Sequence, residues 1–190
     1  MSTAFKLSSM RRGPSAGRAP EYSLFPGGYD PDPDTMLLLK LDEGEGTVAA
    51  DYSGQDNNGE ILGPQWTWGR YGYGLWYDGG NEKAVVPYNP TLDFAADFCI
   101  DAWVNVEYRS TQRIVEKDDA YYLEVYKHGG GSDQIKFQGG IRAGGNLHEI
   151  ETVLFYGLNT WIHVAFQRNT DGYLSLVVNG TEDVVSADPC

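Results

Sequence analysis

The sequence predicts an all-β protein, an antiparallel sandwich or jelly roll preceded by an extended N-terminal arm. Three observations carry that prediction. Gly 24, Tyr 13 and Trp 5 in a chain of 190 residues lean toward strands, tight turns and aromatic surfaces. From Leu37 onward, short alternating runs are divided by glycine-rich turns, the spacing of a sandwich or jelly roll. No segment sustains the helical period over three turns, so no major helix is expected.

The arm comes first, as residues 1–35. It holds five of the nine prolines and ends in "DPDPD"; each proline removes a donor and turns its predecessor away from the helical region, so the arm reads as extended. Lys6, Arg11, Arg12 and Arg18 make its first twenty residues basic and acid-free, whereas the whole chain carries a net charge of -13. The acidic body therefore repels nucleic acid and anionic membrane, while the short basic arm suits either of these or an acidic partner protein. No run of about 18 apolar residues occurs, which excludes a membrane-spanning helix, and the first twenty residues lack the apolar centre of a secretory signal. Two cysteines, Cys99 and Cys190, define no disulfide framework, and Cys99 on a strand reads as an inert core thiol.

The body, residues 36–190, follows. Strands are expected over 37–42, 59–62, 75–78, 83–87, 98–106, 113–117, 121–127, 134–142, 150–155, 161–168, 173–179 and 181–185. "VVNGTEDVV" is the clearest hairpin, because Asn179 and Gly180 can both take the positive φ of a type I′ turn; the turn also explains the sequon Asn179-Gly180-Thr181. "GGGSDQ", starting at Gly129, lacks the lysine of a phosphate loop and reads as a hairpin turn.

The stretch "LLLKLDEGEGTVAADYSGQDNNGEIL" opens as a strand and dissolves into acid, glycine and asparagine. Those residue types dominate turns for conformational reasons. The same oxygens suit calcium, which takes six to eight hard ligands. Asp51, Asp56 and Asn57 are the candidate ligands, with Asp78, Asn81 and Glu82 as a second cluster able to share the ion. The spacing is not that of an EF-hand, since Asp56 stands where that loop requires glycine.

Alternation sorts the faces. Phe98, Ile100, Ala102, Val104 and Val106 share one side of their strand, which turns Asp101, Trp103 and Asn105 the other way. Ile162, Val164 and Phe166 likewise oppose Trp161, His163 and Gln167. Leu123 and Val125 oppose Tyr122, Glu124 and Tyr126, and Lys136, Gln138 and Arg142 follow the same logic. Aromatic rings beside polar donors suit sugars, whose apolar ring faces stack while their hydroxyls find hydrogen bonds. The candidate ligand-binding residues are Trp103, Tyr122, Glu124, Tyr126, Gln138, Arg142 and His163.

Taken in order, "LKLDEGEGTVAADYSGQDNNGEI", "GRYGYGLWYDGGNEKAVVP", "LDFAADFCIDAWVNV", "RIVEKDDAYYLEVY", "TWIHVAFQR" and "YLSLVVNG" resemble the laminin G-like domains of the concanavalin A-like lectin/glucanase superfamily. The resemblance covers about residues 36–187 and implies a two-sheet antiparallel jelly roll. It departs at the end, where the family continues past the "VNG" hairpin into strands lacking here, one of which pairs near the first strand. The enzymes of the superfamily carry Glu-x-Asp-x-x-Glu on one strand. In "EKDDAY", Glu116 and Asp118 match but Tyr121 takes the third position, so the two carboxyl groups of a retaining hydrolase are not supplied. His128, His148 and His163 lie in unrelated contexts, and neither a Gly-x-Ser-x-Gly elbow nor a His-Glu-x-x-His motif occurs.

The sequence thus predicts a non-catalytic binding or structural module of a larger assembly, with glycans as ligand and calcium as candidate cofactor. A virion surface, in decoration or host attachment, is the expected setting; a secreted or cell-surface lectin and a glucanase-type glycosidase are the alternatives. "MLLLKLD" is apolar enough for burial on both faces. With its family neighbour lacking, an open sheet edge is expected there, to be filled by the arm of another subunit or by a partner protein.

Overall fold

The computed structural model describes residues 3–12, 30–94, 96–127 and 133–190. Sixteen strands are found among the described residues: β1 (Thr3–Arg12), β2 (Thr35–Leu37), β3 (Val48–Ala49), β4 (Gly59–Leu62), β5 (Gln65–Trp68), β6 (Tyr73–Tyr77), β7 (Lys83–Val85), β8 (Phe98–Val106), β9 (Gln112–Lys117), β10 (Tyr121–Tyr126), β11 (Gln134–Ala143), β12 (Asn146–Glu151), β13 (Tyr156–Gly157), β14 (Trp161–Arg168), β15 (Leu174–Val178) and β16 (Thr181–Val185). Helical structure among these residues is confined to one 3-10 turn, Pro90–Leu92, capped by the Asn89 side chain. The expected hairpin turn in "GGGSDQ" falls on residues 128–132, outside the described residues, as does His128.

A large antiparallel sheet runs in the order β16-β15-β14-β8-β1-β6-β5, with β2 paired to β1. A second runs β12-β11-β10-β9, with β13 paired to β11, and a small third runs β3-β4-β7. One continuous core lies between them. Phe98, Ile100, Val104, Phe166 and Leu176 of the large sheet meet Leu123, Val125, Phe137 and Ile141 of the second, all buried, as the expected alternation requires. Burying a side chain of this size stabilises the fold by about 1.5–3 kcal/mol each.

Within the arm expected to be extended, Thr3–Arg12 takes a definite place. This segment is a strand inside the large sheet, antiparallel to β8 with Thr3 opposite Val106 and Arg12 opposite Phe98, and antiparallel to β6 with Thr3 opposite Tyr77. It also covers the edge that a neighbouring subunit was expected to fill, since Met10 lies opposite Leu37 and Arg11 opposite Thr35. Residues 13–29 of the arm lie outside the described residues.

Two further expectations shift for local reasons. The strand expected over 37–42 ends at Leu37, although Met36, Leu37, Leu38, Leu39 and Leu41 are all buried as expected. Leu38 N–H donates to the Asp51 carboxylate at 2.9 Å instead of to a strand, Leu39 keeps a single bridge to Asp51, and Leu41 takes a positive φ of 52°. The strand expected over 150–155 stops at Glu151. Buried Thr152 then ties its backbone and hydroxyl to Phe137, and Val153, Leu154 and Phe155 turn out into solvent. The Asn179-Gly180 turn forms as expected, with φ of 50° and 80°.

Candidate functional site

The outward side of the second sheet assembles polar side chains in rows, because antiparallel register sets residues of one face directly opposite one another. One row crosses from Glu116 on β9 through Tyr122 on β10 and Gly140 on β11 to Glu149 on β12. The next runs Arg113, Glu124, Gln138, Glu151, and a third pairs Tyr126 with Lys136.

Arg113 ties the first two rows together. Its guanidinium lies over the Tyr122 ring, 3.8 Å from the centroid, and pairs with Glu124 at 2.7 Å and with Glu116 at 3.1 Å. Tyr122 donates its hydroxyl to Glu149. The ring can lie flat here because Gly140 offers no side chain: a Cβ at that position would stand 2.4 Å from the ring. Burial, the hydrogen bond to Glu149 and the nearby carboxylates all raise the Tyr122 pKa, so the phenol stays protonated and acts as a donor. Glu124 is also raised from the ordinary carboxylate value, first by burial, with Arg113 opposing and Glu149 and Glu116 adding to the rise. Lys136 pairs with Glu151 at 3.0 Å. Between Glu124 and Glu151, the half-buried Gln138 has an amide left free among the described residues.

An open cleft of about 370 Å³ lies at the Tyr122 end of this face, lined by Arg113, Glu116, Tyr122, Arg142, Leu147 and Glu149 among others. Arg142 is half-exposed and reaches toward Asp119 at 3.8 Å. The cleft walls thus offer cationic donors, carboxylate acceptors and the apolar side chains of Ala120 and Leu147.

Five of the expected ligand residues, Tyr122, Glu124, Tyr126, Gln138 and Arg142, share this face. The other two do not. Trp103 and His163 lie on the outward side of the large sheet, where His163 Nε2 meets the fully buried Asp101 at 3.0 Å and its ring lies 5.3 Å from that of Trp103. Tyr71 packs edge-on to Trp103, and Arg70 lies over both rings. These contacts make Trp103 and His163 part of a packed layer, apart from the cleft. Tyr122 is corrected too: at 8% exposure under a guanidinium it is a strut for the face and not a free stacking ring. Arg113, Glu149 and Glu151 were missed. Alternation from buried Val115 would turn Arg113 inward; the register shift between Leu123 and Glu124 turns it outward instead, and the sequence does not display that shift.

The acid motif does not form a catalytic row. Glu116 points outward from β9, but Asp118 lies in the turn beyond it, and Tyr121 points into the core. The Tyr121 hydroxyl donates to the Leu92 carbonyl at 3.0 Å, and its ring stacks on Phe94 at 5.2 Å.

The expected calcium ligands also separate. Asp51 accepts from Leu38 N, Ser53 N, Ser53 Oγ and Asn57 N at 2.7–2.9 Å, so both carboxylate oxygens face donors. Asn57, buried, turns its amide NH2 to Met36 O and Thr91 Oγ1 at 2.8 and 3.0 Å. Asp56 takes a positive φ of 58° at the turn. The Asp78 carboxylate accepts from Gly80 N–H at 2.9 Å and the Asp78 N–H donates to the Glu82 carboxylate, while Asn81 is exposed beside them. Asp51 lies at the Gly59 end of β4 and Glu82 at the Leu62 end, roughly 10 Å apart at about 3.4 Å per residue, so the two clusters share no ion. The Asp51 donor set does not fit a cation, and no group of three or more metal-binding side chains gathers among the described residues. Both segments are turns held by their own carboxylates.

The fold is an antiparallel β-sandwich with one sheet presenting an open polar face. Residues 78–189 match the family described as the concanavalin A-like lectin/glucanases superfamily, and the chain belongs to that superfamily. It is similar to the crystal structure of the binding domain of Paraclostridial Mosquitocidal Protein 1, at 18% identity and a TM-score of 0.64 over 80% of this chain; it spans 39% of that chain's length. It is also similar, at 20% identity and a TM-score of 0.38 over 67% of this chain and 31% of the other, to a candidate carbohydrate binding protein from Bacteroides ovatus ATCC 8483. No curated protein is similar enough to the chain to count as a match. The likeness to the mosquitocidal protein's binding domain is one of fold.

Proposed function

We propose that the chain is a non-catalytic carbohydrate-binding module whose ligand lies across the outward face of β9–β12. The observation that carries the reading is the row Arg113–Glu124–Gln138–Glu151 beside the cleft. It sets guanidinium, carboxylate, amide and carboxylate side by side at the strand spacing of about 4.8 Å, close to the separation of alternate equatorial hydroxyls on a pyranose, and the Gln138 amide is free among the described residues. Hydrolysis is not part of the proposal, because Tyr121 replaces a required carboxylate and is committed to the core. The finer setting, a decoration or host-attachment module on a virion or other extracellular surface, draws on the same face, since gripping a glycan-coated surface is what either role asks of it.

A glycan array probed with the full chain tests this reading. Binding is expected for wild type and should weaken about tenfold or more in Gln138→Ala and Arg142→Ala, in keeping with loss of one or two charged or buried hydrogen bonds. Unchanged array profiles in both variants would remove this face as the ligand site. Reducing-end assays on laminarin, lichenan and agarose are expected to stay at background.

A further inference from the structure

The stacking surface that the second sheet lacks is present elsewhere. The β5–β6 hairpin, "QWTWGRYGYGLWY", carries Trp68 and Tyr73 as a cross-strand pair at its tip. Their rings stack with centroids 4.9 Å apart and planes 13° from parallel. Trp68 is 75% exposed and Tyr73 37%, so one indole face is offered to solvent.

Three contacts hold this stack against the acidic loop 42–46. Trp66 Nε1 donates to Gly46 O at 2.9 Å, and Gly72 passes against the Asp42 carboxylate. Gly44, at φ 73°, lies so close to the Tyr73 ring that a Cβ there would stand 2.7 Å from it. On the same loop one Glu43 carboxylate oxygen accepts from Ala50 N–H at 2.9 Å, while its second, buried oxygen has no partner among the described residues. Alternation explains the overhang. Trp66 and Leu75 of the same face pack on the core, and Trp68 and Tyr73 continue that face past its rim. The hairpin lies outside residues 78–189, which match the superfamily.

We propose that the Trp68–Tyr73 stack is a second sugar-binding site, taking one neutral pyranose ring face-on. An indole backed by Tyr73 on one side matches the apolar face of a pyranose with its free side, and Asp42, Glu43 and Glu45 make the loop under the stack acidic. The same acids exclude uronic and sialic acids by like-charge repulsion. The proposal rests on the carbohydrate-binding reading but on different residues, so one polysaccharide chain can be held at two places, which multiplies retention without any new contact.

Affinity electrophoresis of the full chain in gels carrying mixed-linkage β-glucan, xylan, galactomannan or hyaluronan tests it, with thermal melts to show that each variant folds. Wild type is expected to be retarded in at least one of the three neutral gels and not by hyaluronan. Trp68→Ala should weaken that retardation about tenfold, the loss typical of an aromatic anchor, and Trp68→Phe should keep most of it. Migration of Trp68→Ala like wild type in every gel overturns the platform, and leaves the sheet-face reading standing if Gln138→Ala is released. The converse pattern supports the platform and removes the sheet face. Wild type retarded by hyaluronan alone, or in no gel, or retardation abolished by choline chloride and not by a neutral sugar, overturns the platform as a site for neutral sugar.

Discussion

Gly139 and Gly140 are neighbours on β11 that look to opposite sides of the sheet, and adding one methyl group to each separates stability from binding. At Gly139 a Cβ would stand 2.3 Å from the Phe166 ring, which is fully buried between the sheets and in edge contact with Phe98. Neither ring nor strand can withdraw without opening the core, so Gly139→Ala is an overpacking substitution costing about 1–3 kcal/mol. For a chain of this length that is roughly 2–4 °C in melting temperature per kcal/mol. At Gly140 the same methyl meets the outer end of the Tyr122 ring at 2.4–2.8 Å, and that ring can swing outward. The swing breaks the Tyr122–Glu149 hydrogen bond and lifts the ring from beneath Arg113, at a cost of about 1 kcal/mol. Thermal melts and array binding, measured together, should therefore show Gly139→Ala less stable with its glycan profile intact, and Gly140→Ala nearly as stable as wild type with binding reduced. Equal stability losses, or a Gly140→Ala variant that binds as wild type, would refute the argument that this glycine exists to seat Tyr122.

Three further outcomes are expected. The raised pKa of Glu124 means that its ionised form is disfavoured by folding, a penalty fully present above the folded-state pKa and relieved as pH falls toward the ordinary carboxylate range. Wild type should thus gain stability relative to Glu124→Gln on mild acidification, and a difference that is flat or of opposite slope in pH-dependent melts would contradict this. Millimolar calcium should leave the melting temperature unchanged, whereas Asp51→Ala, which strips acceptors from four donors, should lower stability by about 3 kcal/mol; a calcium-dependent rise would restore the metal reading. Deleting residues 1–12 exposes the edges of both β8 and β6, so hydrogen exchange across Phe98–Val106 should accelerate and the chain should self-associate; a soluble monomer with those amides still slow would show that β1 is dispensable.

The sequence is legible where one residue's preference suffices. Alternation sorted both faces of β8, β10, β11 and β14 correctly, and Asn179-Gly180 announced its turn through two positive φ angles. It is illegible where partners decide. Thr3–Arg12 is a strand only because β8 and β6 stand open on either side of it, and nothing in its basic, serine-rich composition declares that slot. Trp103 and Tyr122 show the same limit: both face outward, as alternation requires, yet one lies under Tyr71 and Arg70 and the other under Arg113. Asp51 offered oxygens that suit either a metal or a turn, and only the four donors surrounding it distinguish the two.

The placement of β1 has a kinetic consequence. β1 bonds to a strand far along the sequence, with Thr3 opposite Val106 and Arg12 opposite Phe98, and it separates β8 from β6. The central ladder of the large sheet therefore cannot nucleate locally. β14, β15 and β16 are joined by short connections and can pair with one another first, whereas docking them on β8, and β8 through β1 on the β5–β6 hairpin, must wait for the entropic cost of long loop closures. During that wait two strand edges are bare at once, and the most aggregation-prone moment in the life of this chain falls before β1 has found its place.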